Sequence, residues 1–320
     1  MTPRHRKSII ASTVIAMAGL AFALSACGKR EGEFQVVASF HNMSEPFFVA
    51  MRRNAEDEAR KLKIDLLVVD GQSNSAKQTA DVRVVTATGT RGLILAPTDV
   101  NALTPAVDEI IDLGIPIVTV DRRVDRSKKP VPHFGADNVS GGRLMAQHAM
   151  ALFPAGARIV LLTGSPGSSS AIDRTRGLHA VLDRAGLSFK IVAEQTASWQ
   201  REQGLTVMQN ILTSLGSQRP DVIIAEDDDM ALGAIEALRS AGVSGVKVIG
   251  FNATPAALQM IREGRMAATV EQSPSRQIRA ALDQLVANIR TRAPITGANI
   301  TPILITAKNL GEAERINELK

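Results

Sequence analysis

Short apolar runs alternate with longer segments of helical periodicity from residue 34 onward, and this alternation restricts the possible folds more than any other feature. Each run is almost continuously apolar, as in residues 115–120, IPIVTV. A continuous apolar run is typical of a strand that helices cover on both faces, which is the environment of a parallel sheet. The predicted strands span residues 35–39, 64–70, 92–96, 115–120, 131–136, 158–163, 189–196, 221–225, 246–251 and 267–271.

The segments between these strands predict helices, and several of them end at a glycine that suits the left-handed position after a helix. Ten strands and nine helices are too many for one open sheet, which usually has about five or six strands. We therefore predict an α/β fold with two doubly wound parallel-sheet lobes. The predicted helices span residues 47–63, 76–89, 100–113, 140–152, 170–185, 200–215, 228–241, 255–263 and 274–290.

The first residues have the pattern of a secretory signal peptide. Arg4, Arg6 and Lys7 form a basic start, and an apolar, alanine-rich stretch follows over residues 9–24. That stretch is short for a membrane-spanning helix, which needs about 20 residues. Removal of this basic leader lowers the formal net charge of +5, so the charge does not indicate a nucleic-acid partner.

Cys27 is the only cysteine, and it follows Leu24, Ser25 and Ala26 at the end of the apolar stretch. This ending resembles a bacterial lipoprotein box, in which the cysteine receives lipid before cleavage. A single cysteine cannot form a disulfide within the chain. We predict a leader over residues 1–27, lipidation of Cys27 and a short tether over residues 28–33. The folded part would then be exported and held by acyl chains at the periplasmic or cell-surface face of a membrane.

Polar or aromatic residues follow most of the predicted strands. In open parallel sheets, ligands bind in the crevice outside the carboxyl ends of the strands, so these residues are candidates for ligand contact. Sugar recognition needs flat apolar surfaces and planar polar groups that hydrogen-bond adjacent hydroxyls. Phe47, Phe48 and Trp199 can supply the apolar surfaces, although large aromatic side chains at loops more often serve ordinary packing. His41 is the one histidine near the predicted crevice.

Six segments together resemble the ribose-binding family of type I periplasmic binding proteins, and the similarity extends from residue 34 to about residue 310. The resemblance implies two lobes joined by a three-strand hinge, with crossings after Ala136, near Glu271 and near Ile300. It places residues 34–136 and 273–300 in the first lobe and residues 137–272 and 301–320 in the second. The segments are 45–48 (EPFF), 96–99 (APTD), 115–122 (IPIVTVDR), 137–142 (DNVSGG), 229–234 (DMALGA) and 248–252 (VIGFN).

By this resemblance, the protein is the binding subunit of a sugar ABC transporter, which captures a monosaccharide or polyol by hinge closure and delivers it to a permease. It would act as a monomer, without a cofactor or a metal and without enzyme activity. The family's stacking aromatics correspond to Phe47, Phe48 and Trp199. Its sugar-hydroxyl partners correspond to Asp121, Arg122, Asn138, Arg174 and Gln272.

Three positions depart from the ribose pattern. Glu45 and Asp227 stand where asparagine is usual, and Asn252 stands where aspartate is usual. These exchanges alter the donors and acceptors offered to the ligand. They leave the ligand open between ribose, another pentose, a hexose and a polyol.

Particular residues argue against other functions. Residues 163–170 resemble a phosphate loop in composition but lack its lysine, and residues 226–229 lack the spaced ligands of a calcium loop. A sugar sensor for a membrane receptor or a chemotaxis system remains an alternative. A carbohydrate-active enzyme is a weaker alternative, since it would need paired carboxylates such as Asp121, Asp227 and Glu45.

Overall fold

The computed structural model describes residues 32–186 and 188–319. Their strands form two six-stranded sheets. The first sheet has the order β11-β5-β4-β3-β1-β2 and comprises β1 (Gln35–Phe40), β2 (Asp65–Asp70), β3 (Gly92–Leu95), β4 (Ile117–Val120), β5 (His133–Ala136) and β11 (Ala298–Ile300). The second has the order β12-β10-β9-β8-β6-β7 and comprises β6 (Ala157–Thr163), β7 (Phe189–Thr196), β8 (Val222–Ala225), β9 (Lys247–Phe251), β10 (Ala268–Glu271) and β12 (Ile303–Ile305).

Helices cover both faces of each sheet. Those of the first lobe are α1 (Pro46–Leu62), α2 (Ser75–Ala87), α3 (Thr104–Asp112) and α9 (Pro274–Thr291). Those of the second are α4 (Asn138–Leu152), α5 (Ser169–Leu182), α6 (Arg201–Leu215), α7 (Asp228–Ser240) and α8 (Pro255–Arg262), followed by two short 3-10 turns, Leu310–Glu312 and Ile316–Glu318. Every predicted strand and helix is therefore present. The helix predicted at residues 100–113 begins later, because the Asp99 carboxylate accepts the backbone N–H groups of Asn101 and Ala102 and holds a turn there.

Each sheet is buried between two apolar layers. In the first lobe, α1 and α9 pack on one face through residues such as Phe48 and Leu282, while α2 and α3 pack on the other through residues such as Val82 and Val107. The second lobe repeats this arrangement with α6, α7 and α8 on one face and α4 and α5 on the other. Burial on both faces explains why the strands are continuously apolar.

The chain passes between the sheets three times. It leaves the first sheet after β5, returns to it after β10, and leaves again between β11 and β12. The strand β12 pairs antiparallel with β10, which is the one departure from parallel pairing among the described strands. The residue limits predicted for the two lobes, 34–136 with 273–300 and 137–272 with 301–320, are finer than this sheet membership and remain a prediction.

The predicted leader, Cys27 and the tether up to residue 31 lie outside the described residues. Within the part of the chain that the structure describes, no helix has both the length and the apolar character needed to cross a membrane.

Glycines allow α4 and α5 of the second lobe to approach each other closely. A Cβ at Gly177 would lie 2.1 Å from the Val139 carbonyl oxygen, and a Cβ at Gly142 would lie 2.1 Å from the Arg174 carbonyl oxygen. Only glycine permits this backbone approach. The contact places Arg174 of α5 beside Asn138, the first residue of α4.

Candidate ligand-binding site

The carboxyl ends of strands from both sheets meet around a small cavity between the lobes, and most of the side chains that line it are buried. The space between them is about 240 Å³ when its opening to solvent is included. The first lobe contributes residues that follow β1 and β4, and the second contributes residues from the ends of β7 to β10 and from α5. The lining residues are Glu45, Phe47, Phe48, Asp121, Arg122, Ser170, Arg174, Trp199, Asp227, Asn252 and Gln272.

The structure therefore gathers nearly all of the predicted site residues in one place. Asn138 is the exception: it lies behind the cavity wall and accepts a 2.8 Å hydrogen bond at Oδ1 from Arg174 Nε. Ser170 also lines the cavity; it lies in the polar loop 163–170 and is the second residue of α5. Its hydroxyl lies 3.4 Å from the backbone oxygen of Asp121 in the opposite lobe.

Aromatic side chains form two walls of the cavity, one from each lobe. Phe47 and Phe48 lie in the first turn of α1, which Pro46 begins, and their rings meet edge to face with centroids 5.3 Å apart. Trp199 reaches in from the second lobe and packs over Gly164, where a Cβ would lie 1.9 Å from the indole. The indole Nε1 is buried and has no hydrogen-bond partner among the described residues, so it can donate to a ligand.

Arg122 lies between these walls. Its guanidinium is 5.6 Å from the centre of the Phe48 ring and 5.4 Å from that of Trp199. Its Nε lies 3.6 Å from Asp121 Oδ2 in an ion pair, but neither Nε nor Nη1 makes a hydrogen bond among the described residues, and Asp121 Oδ1 makes none either. Buried polar groups are normally hydrogen-bonded, so these atoms can serve a polar ligand.

Arg174 is held more firmly than Arg122. Besides its bond to Asn138, its Nη1 donates to the Glu226 backbone oxygen at 2.6 Å, and its guanidinium stacks 3.6 Å from the centre of the Phe251 ring. Burial lowers the pKa of Arg174 to about 10, which still leaves it cationic at neutral pH. The second lobe thus presents a fixed positive group to the cavity.

Three carboxyl groups line the cavity, and burial raises the pKa of each. The pKa of Glu45 rises to about 7, that of Asp121 is raised, and that of Asp227 is raised well above its usual value. Asp227 also accepts the backbone N–H of Met230 at 2.8 Å and thereby caps α7. The site therefore combines two guanidinium groups with carboxyls that are poised to carry protons.

Asn252 and Gln272 complete the second lobe's contribution. Gln272 Nε2 donates to Asn252 Oδ1 at 2.7 Å, and Gln277 Nε2 donates in turn to the Gln272 backbone oxygen at 2.8 Å. The Asn252 and Gln272 side chains are thus oriented by a hydrogen bond between them.

Several cavity residues adopt backbone conformations that L-amino acids disfavour. The φ angles of Asp121, Trp199 and Asn252 are 59°, 65° and 110°. Such conformations cost about 1–3 kcal/mol each and concentrate at functional sites. Each of these residues follows a strand, and the unusual φ turns the chain so that its side chain faces the cavity.

A wider groove at the far end of the second lobe lacks these features. Aliphatic residues line it, with His148, Arg239, Lys247, Arg265 and Lys308 around them. It does not gather buried polar groups from two lobes, so the cavity between the lobes is the better candidate site.

Comparison with known proteins decides the family. Residues 36–293 match the model of the periplasmic binding protein domain. The chain belongs to the periplasmic binding protein family. The ribose import binding protein of Escherichia coli K12 is 36% identical over 265 residues, which cover 82% of this chain and 86% of that protein. The predicted relationship to ribose-type periplasmic binding proteins is confirmed.

Solved structures of other periplasmic binding proteins confirm the predicted fold. The myo-inositol binding protein of Caulobacter, bound to myo-inositol, is 50% identical with a TM-score of 0.89 and covers 92% of this chain and 100% of its own. A solute-binding protein of Bacillus halodurans with bound myo-inositol is 27% identical with a TM-score of 0.83 and covers 90% of this chain and 99% of its own. The relatives are solute-binding proteins, so the prediction that this periplasmic binding protein is not an enzyme is also confirmed.

Proposed function

We propose that this protein is the exported binding subunit of an ABC importer and that its ligand is a cyclic polyol, myo-inositol. The observation that carries the proposal is the small cavity between the lobes, which buried polar side chains of both lobes line and to which unpartnered atoms of Asp121, Arg122 and Trp199 belong. The bound ligand of the Caulobacter relative supports the choice of myo-inositol over ribose.

The polar groups suit a ligand with a hydroxyl on every ring carbon. Each hydroxyl both donates and accepts, so it can pair with a guanidinium on one side and a carboxyl on the other. Arg122, Arg174 and the Trp199 indole N–H supply donors. Acceptors come from Asp121, Asp227 and the amide oxygens, while Phe48 and Trp199 cover the C–H faces of the ring.

Calorimetry with a ligand panel tests this proposal. The purified protein would be titrated with myo-inositol, ribose, allose, glucose and xylitol. We expect myo-inositol to bind most tightly and to raise the melting temperature, because a ligand that binds only the folded state stabilises it. A pentose or hexose that bound at least tenfold more tightly than myo-inositol would contradict the choice of ligand.

We further propose that Cys27 is lipidated and anchors the mature protein to a membrane. The sequence pattern at residues 24–27 supports this, and the family is exported. The Cys27→Ser variant should lose acylation and either leave the membrane fraction or retain its leader. If the variant fractionates and migrates like the wild type, the anchor is wrong.

Delivery to a permease would follow closure of the two lobes around the ligand. Contacts across the cleft support a closed form: Arg123 pairs with Asp173, and Val100 N–H donates to the Gly167 carbonyl at 2.9 Å. A ligand that contacts both lobes shifts the equilibrium towards closure by the difference in its affinity for the two forms. In this proposal the protein works as a monomer and presents the closed form to the permease.

A further inference from the structure

His41 is buried behind the cavity wall, at the end of β1. Its side chain is only 1% exposed, and its ring meets the edge of Phe48 at a centroid distance of 5.4 Å. The loop that follows it is held by Asp70, whose Oδ1 accepts the backbone N–H of Met43 at 3.0 Å. The imidazole position is therefore set by packing and by the loop.

The imidazole contacts one oxygen of Glu45. His41 Nε2 lies 2.6 Å from Glu45 Oε1, while Glu45 Oε2 lies 3.9 Å from Arg122 Nη2. Glu45 lines the cavity and His41 does not. Since Oε1 is occupied by the imidazole, Oε2 is the oxygen that remains for a ligand.

We propose that His41 is a positioning residue for ligand binding: it holds Oε1 of Glu45 so that Oε2 faces a ligand hydroxyl, and Glu45 takes up a proton when the lobes close. The proposal rests on the function proposed above, because it requires a hydroxylated ligand in this cavity.

The charges around Glu45 give the reason for proton uptake. From the first lobe, Asp70, Asp121 and the guanidinium of Arg122 act on the pair. The second lobe adds Arg174 and the two carboxylates at the start of α7, Asp227 and Asp229. Closure therefore brings the second lobe's carboxylates towards Glu45 while it removes Glu45 from water. Burial, which has the largest effect, and the like charge of Asp229 and Asp70 favour the protonated carboxyl, whereas Arg122 and Arg174 act in the opposite direction.

The pKa shifts of His41 and Glu45 agree with one proton in the hydrogen bond between the two side chains. Burial and Arg122 keep the pKa of His41 well below its usual value, so the imidazole stays neutral. The pKa of Glu45 is about 7 in the closed form. At lower pH the carboxyl donates its proton to Nε2, and at higher pH a neutral imidazole donates Nε2–H to the carboxylate.

The direction of the pH effect on ligand affinity follows from the difference in the pKa of Glu45 between the open and closed forms. In the open form water surrounds Glu45 and its pKa is closer to the ordinary value of about 4.3. A pKa that is higher in the bound state gives the tightest binding below the open-form pKa. This gain in ligand affinity is lost as the pH rises to about 7, where the carboxyl of Glu45 ionises in the closed form.

Calorimetry in buffers with different ionisation enthalpies measures the proton uptake directly. With myo-inositol as the probe, we expect the wild type to take up nearly one proton more than Glu45→Gln at pH 6, and the difference to vanish at pH 8. The comparison with Glu45→Gln isolates this carboxyl, because Asp121 and Asp227 are present in both proteins. Equal proton uptake by both proteins at pH 6 would overturn the proposal.

Two substitutions at His41 separate positioning from packing. Glutamine keeps a hydrogen-bonding nitrogen near the place of Nε2, whereas leucine only fills space. We expect His41→Leu to weaken myo-inositol binding about fivefold, the usual effect of losing one neutral hydrogen bond, and His41→Gln to recover most of it. Equal affinities of the two variants would show that His41 serves packing alone. Should either variant fail to unfold cooperatively, the measurement with Glu45→Gln still decides.

The same experiment distinguishes failure of the inference from failure of the proposed function. If another panel ligand binds in place of myo-inositol, the ligand assignment is wrong and the proton measurement is made with that ligand. If myo-inositol binds but no extra proton is taken up, only the inference fails. A well-folded protein that binds no member of the panel overturns both.

Discussion

Arg122 and Trp199 serve the cavity in different ways, and their loss should have different costs. Alanine at Arg122 leaves Asp121 and Glu45 buried without their guanidinium, which costs about 2–4 kcal/mol of binding by analogy with broken buried charge pairs. Alanine at Trp199 removes an apolar platform and should cost about 1–3 kcal/mol. Calorimetry with myo-inositol checks the order of the two losses.

Matched variants show whether these losses of ligand affinity arise at the binding site. Trp199→Phe keeps a flat ring without the indole N–H, so it should bind more tightly than Trp199→Ala. Arg143→Ala removes an exposed arginine of α4 and should bind like the wild type. Near-wild-type affinity of a well-folded Arg122→Ala would place the ligand elsewhere.

The rule that ligands bind outside the carboxyl ends of parallel strands located the site residues, but it could not reveal which side chains they contact. Glu45, Asp121 and Trp199 were predictable because each follows a strand or opens a helix on the same edge of a sheet. The distinction between Asn138, which orients Arg174, and residues on the cavity wall depends on side-chain directions that spacing does not specify. The contact of His41 with Glu45 was missed for the same reason: it depends on how the loop between them folds against Asp70.

At the scale of elements, the approach of α4 and α5 is the most sensitive packing feature described. Gly177→Ala would place a methyl group against the Val139 carbonyl oxygen and force the helices apart. Overpacking of this kind typically costs about 1–3 kcal/mol. Thermal or denaturant unfolding should show the loss, and ligand affinity should fall with it because Arg174 moves.

Gly311→Ala is the matched control for this prediction. A Cβ at Gly311 meets nothing within 4 Å, and its φ is not in the left-handed region. The control should be as stable as the wild type. Equal stability of Gly177→Ala and Gly311→Ala would show that the helix pair tolerates a wider separation.

Elements with long buried faces were predictable from sequence, and short edge strands were not. Eight of the ten predicted strands have the apolar runs that burial on both faces requires, and the other two, the edge strands β2 and β7, are long although mostly half-buried or exposed. The strands β11 and β12 have three residues each and are partly exposed. Their strand conformation comes from pairing with β5 and β10, which lie far away in sequence. The local sequence pattern does not predict β11 and β12. The crossing near Ile300 was therefore predicted from the family resemblance alone.

At the scale of the whole molecule, the proposed closure would be stabilised by the contact of Arg123 with Asp173 as well as by the ligand. Asp173→Ala removes this pair without touching the cavity wall, so it should weaken myo-inositol binding severalfold by disfavouring the closed form. Asp112→Ala breaks an exposed pair with Lys128 inside the first lobe and should leave affinity unchanged.

Small-angle scattering tests closure itself. The radius of gyration should decrease when saturating myo-inositol is added to the wild type, and Asp173→Ala should need more ligand to reach the same value. An identical radius with and without ligand would contradict closure.

The placement of α9 and β11 in the first lobe also has a consequence for how the chain is made. Residues of α9 such as Ile278, Leu282 and Leu285 complete the apolar layer against which α1 packs, yet they are synthesised after the whole second sheet except β12. The first lobe cannot bury that layer until almost all of the chain has left the ribosome. Contacts so distant in sequence form slowly. For the export proposed above, a first lobe completed this late would keep the chain unfolded longer, which is the form that a secretion channel can thread.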